Sequence, residues 1–284
     1  MSGAAQPEVP VARSFEGGVG LITGGSQGLG HSVAEALRDR GARGLVIVGR
    51  DVEKGQAAAA ALSTAECQAV FVGADVGEAN GCQHVIDTVA QEFGSPTAVI
   101  NCAAATSRGT VWDTSPELWE QMLMVNVRGP ALISQGAASL MRDTGTRGAI
   151  VLIGSVAGHG GAPELLAYSS SKSALVAMTR NLAFQLMRDG IRVNLLNPGW
   201  MNTPAEDVVQ RKFHGAQDGW LERAAATRPF GRLIETREIA RTIAHLATDE
   251  SGMLTGACID YDQTILGAGE TPVPPAIENV ELQR

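Results

Sequence analysis

Short, unbroken apolar runs alternate with stretches of helical period along most of this chain, and that alternation narrows the possible folds more than any other feature. Runs at 18–23, 45–48, 69–72, 98–101, 149–153, 191–196 and 257–261 read as strands. Segments at 31–40, 53–62, 81–93, 130–142, 168–188 and 236–247 read as helices, with one more opened by Pro116 at a favoured first-turn position. The spacing is that of βαβ units, which implies an α/β fold with a doubly wound parallel sheet covered by helices on both faces. Residues 198–217 carry Pro, Gly, Asn and His with little periodicity, so they are expected to form a loop or mobile lid. No internal repeat or shift in composition divides the chain. The expected organisation is an N-terminal extension over 1–17, one domain over 18–265, and a tail over 266–284 that holds Pro272, Pro274 and Pro275.

Composition excludes several classes. With 44% hydrophobic and 18% charged residues the chain can bury a large core. A net charge of −8 without a cluster of Lys and Arg makes nucleic acid or an anionic membrane a poor partner. Cys67, Cys82, Cys102 and Cys258 share no C-x-x-C spacing and read as reduced, packed thiols, not as a disulfide framework or zinc site. Residues 1–16 lack an apolar run suited to a signal peptide, and no stretch approaches the ~20 apolar residues that span a bilayer. A soluble, cytoplasmic protein is expected.

The first chemical signal is the segment Thr23-Gly24-Gly25-Ser26-Gln27-Gly28-Leu29-Gly30, which follows a strand and precedes a helix. Small residues there let the backbone approach a pyrophosphate, and the helix N-terminus supplies N–H groups and the positive end of a dipole. The spacing is Gly-x3-Gly-x-Gly and departs from G-x-G-x-x-G. About 20 residues further on, where an acidic side chain would bind a ribose 2′-hydroxyl, stand Gly49, Arg50 and Asp51. Arg50 can hold a 2′-phosphate through charge-assisted bonds, which favours NADP over NAD, while Asp51 argues the other way. Arg50 and Asp51 serving only as a solvated helix-capping loop is the bland alternative.

The second signal is Tyr168-Ser169-Ser170-Ser171-Lys172 at the start of a predicted helix, where Tyr168 and Lys172 share a face. A nearby ammonium, together with the positive ring of an oxidised nicotinamide, is expected to favour the phenolate over an ordinary tyrosine of pKa about 10. Ser155 follows the strand at 149–153, at the carboxyl edge where open α/β sheets bind ligands, and its hydroxyl can donate to a substrate carbonyl.

With these motifs in order, the chain resembles the short-chain dehydrogenase/reductase family, in its compact branch of about 250 residues. The matching segments are TGGSQGLG at 23–30, Asp75-Val76, NCAA at 101–104, Asn126 within VNVRG, Ser155, YSSSK at 168–172 and NPGWMNTP at 197–204. The resemblance implies a Rossmann-type sheet and hydride transfer between a nicotinamide cofactor and a secondary alcohol or ketone. It implies a catalytic set of Asn126, Ser155, Tyr168 and Lys172, with Asn126 holding a water in a relay through Lys172 and Lys172 also binding the ribose. Cofactor contacts are implied for the turn (Thr23, Gly24, Ser26, Gln27, Gly28, Leu29 and Gly30), for Asp75 and Val76 at the adenine, and for Ala103. Asn101 is implied to stabilise the adjoining strand, and Pro198, Gly199, Met201 and Thr203 to wrap the carboxamide end. A homotetramer or homodimer is implied too. The sequence departs from the family pattern at Cys102 and Ala104, and at Asp260-Tyr261-Asp262-Gln263, where Asp-Gly-Gly is usual.

His159, Trp200 and His214 are candidate substrate contacts, and the polar residues Asn202, Glu206, His214 and Asp218 suggest a polyol, sugar or other small polar alcohol. His31, His84 and His245 read as surface or packing residues, and no spacing suggests a metal. The Tyr–Lys gap of three residues disfavours an enoyl reductase, and a separate substrate domain of the epimerase type is not expected. A nucleotide-binding redox sensor without turnover is the alternative from a different class.

Overall fold

The computed structural model describes residues 14–265. Its strands are β1 (Val19–Thr23), β2 (Gly44–Gly49), β3 (Gln68–Gly73), β4 (Ala98–Asn101), β5 (Gly148–Ile153), β6 (Ile191–Pro198), β7 (Met201–Asn202), β8 (Ile234–Glu235) and β9 (Cys258–Tyr261). Its α-helices are α1 (Gly28–Arg38), α2 (Val52–Leu62), α3 (Ala79–Phe93), α4 (Pro116–Leu123), α5 (Gly129–Thr144), α6 (Leu166–Leu186), α7 (Pro204–His214), α8 (Trp220–Ala226) and α9 (Thr236–Ala247). Seven strands form one parallel sheet in the order β3-β2-β1-β4-β5-β6-β9, and β7 pairs with β8 beside it.

The unbroken apolar runs have a direct explanation in the two cores. Successive strand residues face opposite ways. Ile22, Ile47, Val151 and Ile153 pack with α1, α2 and α9 on one side. Leu21, Val46, Val48, Ile150 and Leu152 pack with α3, α5 and α6 on the other. A strand covered on both faces needs an apolar residue at every position, so alternation disappears from the sequence.

Strand order decides where a ligand can enter. After β1 the chain builds outward through β2 and β3, then crosses to place β4 on the other flank of β1. The connections leaving β1 and β4 diverge there, which opens a crevice at the carboxyl ends of the strands. Residues 14–17 pack against the turn after α1: Phe15 is buried, and the Phe15 and Gly17 N–H groups donate to Arg40 O and Gly41 O at 3.0 and 2.9 Å. The expected extension before residue 14 and the tail from 266 lie outside the described residues.

One expectation is overturned. Residues 198–217 contain α7, not a continuous loop, and α8 follows it. Thr203 caps α7 by accepting from Glu206 N, Pro204 opens it, Glu206 and Asp207 lie in its first turn, Arg211 and Lys212 in its last, and Gly215 ends it in the left-handed region. Val209 is its one buried residue, so the apolar period that reveals a core-facing helix is missing. Among the described residues no helix is long and apolar enough to cross a membrane.

Candidate active site

The crevice holds a cleft of about 990 Å³, lined at one end by the 24–30 turn and Arg50, and at the other by Ser155, Tyr168 and Lys172. At the first end, close approach explains the glycines. Gly24 has a φ of +69°, and a Cβ there would lie 2.9 Å from Ala103 N; a Cβ on Gly30 would collide with the Gly24 carbonyl. A side chain on Gly28, where φ is +58°, would meet nothing. Gln27 at the N-cap of α1 makes no side-chain capping bond and no acidic residue sits in the first turn. The cradle therefore fits an anion: its N–H groups are uncapped, and a dinucleotide pyrophosphate suits it.

At the end of β2, Gly49 adds no bulk beside the Ser26 hydroxyl, and Arg50 lies 75% exposed with Nη1 3.8 Å from Asp75 Oδ2. Asp51 caps α2 by accepting from Lys54 N at 3.1 Å, and that bond first, with the Lys54 ammonium, holds its carboxyl below the usual range. Asp51 thus caps α2, and both Arg50 and Asp51 line the cleft. Asp75 uses Oδ1 to accept from Gly77 N at 2.8 Å.

At the other end, α6 and β5 are tied together inside the protein. Lys172 is buried and its Nζ donates to the Ile153 carbonyl, the last of β5, at 2.8 Å; it also lies 5.7 Å from the centre of the Tyr168 ring. Burial pulls the Lys172 pKa down to about 8. The phenol of Tyr168 shifts upward, because burial outweighs the Ser155 hydrogen bond and the charge of Arg108, both of which act to lower it, while Glu206 adds to the rise. The expected depression of the Tyr168 pKa is therefore not a property of the protein alone. A phenol drawn out of water loses more by ionising than the Ser155 hydrogen bond and the Arg108 charge return.

Asn126 sits in a π-helical turn, Met124–Arg128, between α4 and α5. Pro130 has no N–H to give the Asn126 carbonyl, so the α-helical pattern cannot run through this point. The buried side chain is fully engaged: Oδ1 accepts from Ala105 N at 2.8 Å, and Nδ2 donates to Ala105 O and to Ser171 Oγ, both at 3.0 Å. It joins the segment after β4 to α6 one turn from Tyr168. Thr23, whose hydroxyl accepts from Ala103 N, and Asn101, whose amide donates to Ser134, likewise stand behind the cleft wall.

The remaining candidates divide. Pro198, Gly199, Trp200, Met201, Thr203 and His214 line the cleft together with Val76 and Ala103. His159 does not, because its Nε2 pairs with Asp260 at 2.9 Å. Asp260 also accepts from Asn197 Nδ2 at 2.8 Å, and Asn197 Oδ1 accepts from Ser155 N at 3.1 Å. The unusual end of β9 thus holds the backbone of Ser155 through Asn197, a link with no sequence signal because it joins residues far apart in the chain. Arg108 and Glu206 also line the cleft. Arg108 carries no motif. Glu206 stood among the polar lid residues, and its carboxylate accepts from Trp200 Nε1 at 2.7 Å.

A family model described as enoyl-(acyl carrier protein) reductase matches residues 24–263. The short-chain reductase protein NovJ of Streptomyces niveus is 32% identical, over 92% of this chain and 98% of its own length. An NADP-dependent (R)-specific alcohol dehydrogenase of Lentilactobacillus kefiri is also 32% identical, over 86% of this chain and 94% of its own length. L-sorbose reductase from Gluconobacter frateurii, solved with NADPH and L-sorbose, superposes with a TM-score of 0.82 at 26% identity, covering 91% of this chain and 99% of that one. The chain belongs to the short-chain dehydrogenase/reductase family. It is an NAD(P)-dependent oxidoreductase that acts on CH–OH groups, interconverting alcohols and ketones.

Proposed function

We propose that the protein is an NADP-preferring reductase and dehydrogenase of small polar ketones and secondary alcohols, with Tyr168 as its proton-transfer residue. The observation that carries this reading is the placement of Ser155, Tyr168 and Lys172 at one end of a single cleft whose other end is the glycine turn with Arg50. When bound, the nicotinamide gives or takes the hydride. Ser155 donates to the carbonyl oxygen and holds it beside the phenol, and Tyr168 supplies the proton in reduction and removes it in oxidation. Lys172, fixed on the Ile153 carbonyl, keeps a positive charge near the ring and a donor near the ribose. Asn126 clamps α6 to the segment after β4 and so sets the position of the tyrosine.

Arg50 supports NADP, as an exposed guanidinium lining the cleft that matches a 2′-phosphate. The Tyr–Lys gap of three residues supports alcohol chemistry over enoyl reduction. Exposed Phe184 on α6 and Met187 just after it support assembly with further copies into a homodimer or homotetramer. Four free cysteines suit a reducing, cytoplasmic setting.

The test is cofactor oxidation over a panel of ketones, with NADPH and NADH compared. NADPH should be preferred, Arg50→Ala should erase that preference, and Tyr168→Phe should lower turnover about 10²- to 10⁴-fold while cofactor still binds. A preference for NADH would overturn the cofactor reading. Tight cofactor binding with no turnover of any ketone or alcohol would replace the enzyme with a redox sensor.

A further inference from the structure

The loop between β4 and α4 is held at both sides of Arg108. Before it, Ala105 is clamped by the Asn126 amide through two bonds of 2.8 and 3.0 Å. After it, Gly109 N donates to Glu164 O at 2.9 Å, and Gly109 O accepts from Leu166 N at 3.2 Å. Leu166 begins α6, two residues before Tyr168, so the backbone carrying Arg108 is fixed relative to the phenol.

The guanidinium itself is underused. Nη1 donates to the Thr106 carbonyl at 2.8 Å, Nε is buried with no hydrogen-bond partner, and among the described residues no carboxylate lies within ion-pairing distance. The two acidic side chains at this end of the cleft are Glu164 and Glu206. Glu206 is already occupied by Trp200 Nε1 and Gln210 Nε2, both at 2.7 Å. Arg108 lies near enough to Tyr168 for its charge to act on the phenol, which places it at the reacting end of the cleft and away from Arg50. An arginine held in a cleft with an unsatisfied donor fork suits a carboxylate, whose two oxygens match it in plane and spacing.

We propose that the substrate is a hydroxy acid or the corresponding oxo acid, and that Arg108 binds its carboxylate beside the oxygen with which Tyr168 exchanges a proton. This rests on the alcohol/ketone reading above and narrows it to an anionic member of the class. A neutral analogue offers the guanidinium no opposite charge, so the site should discriminate against it.

The test is calorimetric titration of the full chain, saturated with NADP, with linear hydroxy acids of increasing length and the matching hydroxy amides. Wild type should bind at least one acid about 10- to 100-fold more tightly than its amide, the range of a charge-assisted pair. Arg108→Gln should abolish the preference, and Arg108→Lys should keep part of it by retaining the charge without the fork. Equal binding of acid and amide, no binding of any acid, or a preference that survives Arg108→Gln would overturn the proposal. Tyr168-dependent turnover of neutral ketones in that same protein would leave the oxidoreductase reading intact.

Discussion

The glycine turn at 24–30 and the α7–α8 region at 200–228, whose first part up to His214 lines the same cleft, are built on different principles. The turn is backbone against backbone: a Cβ on Gly24 or Gly30 would run into the main chain of Ala103 or Gly24. The lid is held by side chains. Trp200 and Trp220 stack with centroids 6.3 Å apart, their indole N–H groups donate to Glu206 and Asp207 at 2.7 Å, and Arg211 bridges Asp207 and Asp218. A backbone cradle cannot yield without moving strands. A wall of exchangeable polar contacts can shift by rotamer changes, which suits the side that must admit different substrates.

Three substitutions probe this contrast, beginning with the largest effect. Gly30→Ala places a methyl against the Gly24 carbonyl, and overpacking against fixed backbone should cost about 3 kcal/mol together with loss of cofactor binding, read by denaturant unfolding and cofactor titration. A cost below about 1 kcal/mol would show that the cradle is as adaptable as the lid.

Lys172→Met tests the cost of burying charge at the end of the cleft away from the glycine turn. Below about pH 8 the ammonium is present in both the folded and unfolded chains, and its burial penalty is felt in full. Between about 8 and the ordinary value of 10.5 the unfolded chain still binds the proton and the folded chain does not, so wild-type stability should rise with pH across that window. The methionine variant should lose that slope and gain about 1–2 kcal/mol at neutral pH, because relief from desolvation exceeds the lost bond to Ile153 O, while activity collapses. Unfolding midpoints at several pH values read the effect, and a destabilised variant at pH 7 would contradict it.

Trp220→Phe keeps the ring stack but removes the bond to Asp207. It should cost about 0.5–1.5 kcal/mol, with a modest rise in substrate KM and little change in cofactor affinity. A loss as large as that of Gly30→Ala would erase the distinction between the two regions.

The same contrast explains what could be read ahead of the structure. Strands β1, β4 and β5 announced themselves because a sheet covered on both faces turns position after position apolar, and Tyr168 and Lys172 because four residues of helix bring them together. Helix α7 did not, since it rests on the protein through Val209 and is specified by Thr203, Pro204 and Gly215 at its ends. Without cofactor the Tyr168 phenol shifts upward, because burial counts for more than the nearby charges, and sequence shows which charges are near but not how much water is excluded.

What sequence determined by itself is the repeating strand–helix order, the glycine turn and the local pairing on α6, all set by contacts within a few residues or by periodic burial. Only the tertiary structure decided that Arg108 stands near Tyr168 with an unfilled donor fork, that His159 turns to Asp260 and away from the cleft, and that Asn197 carries that link to Ser155. Those relations join residues up to 101 positions apart, and no local pattern encodes a distance that folding alone creates.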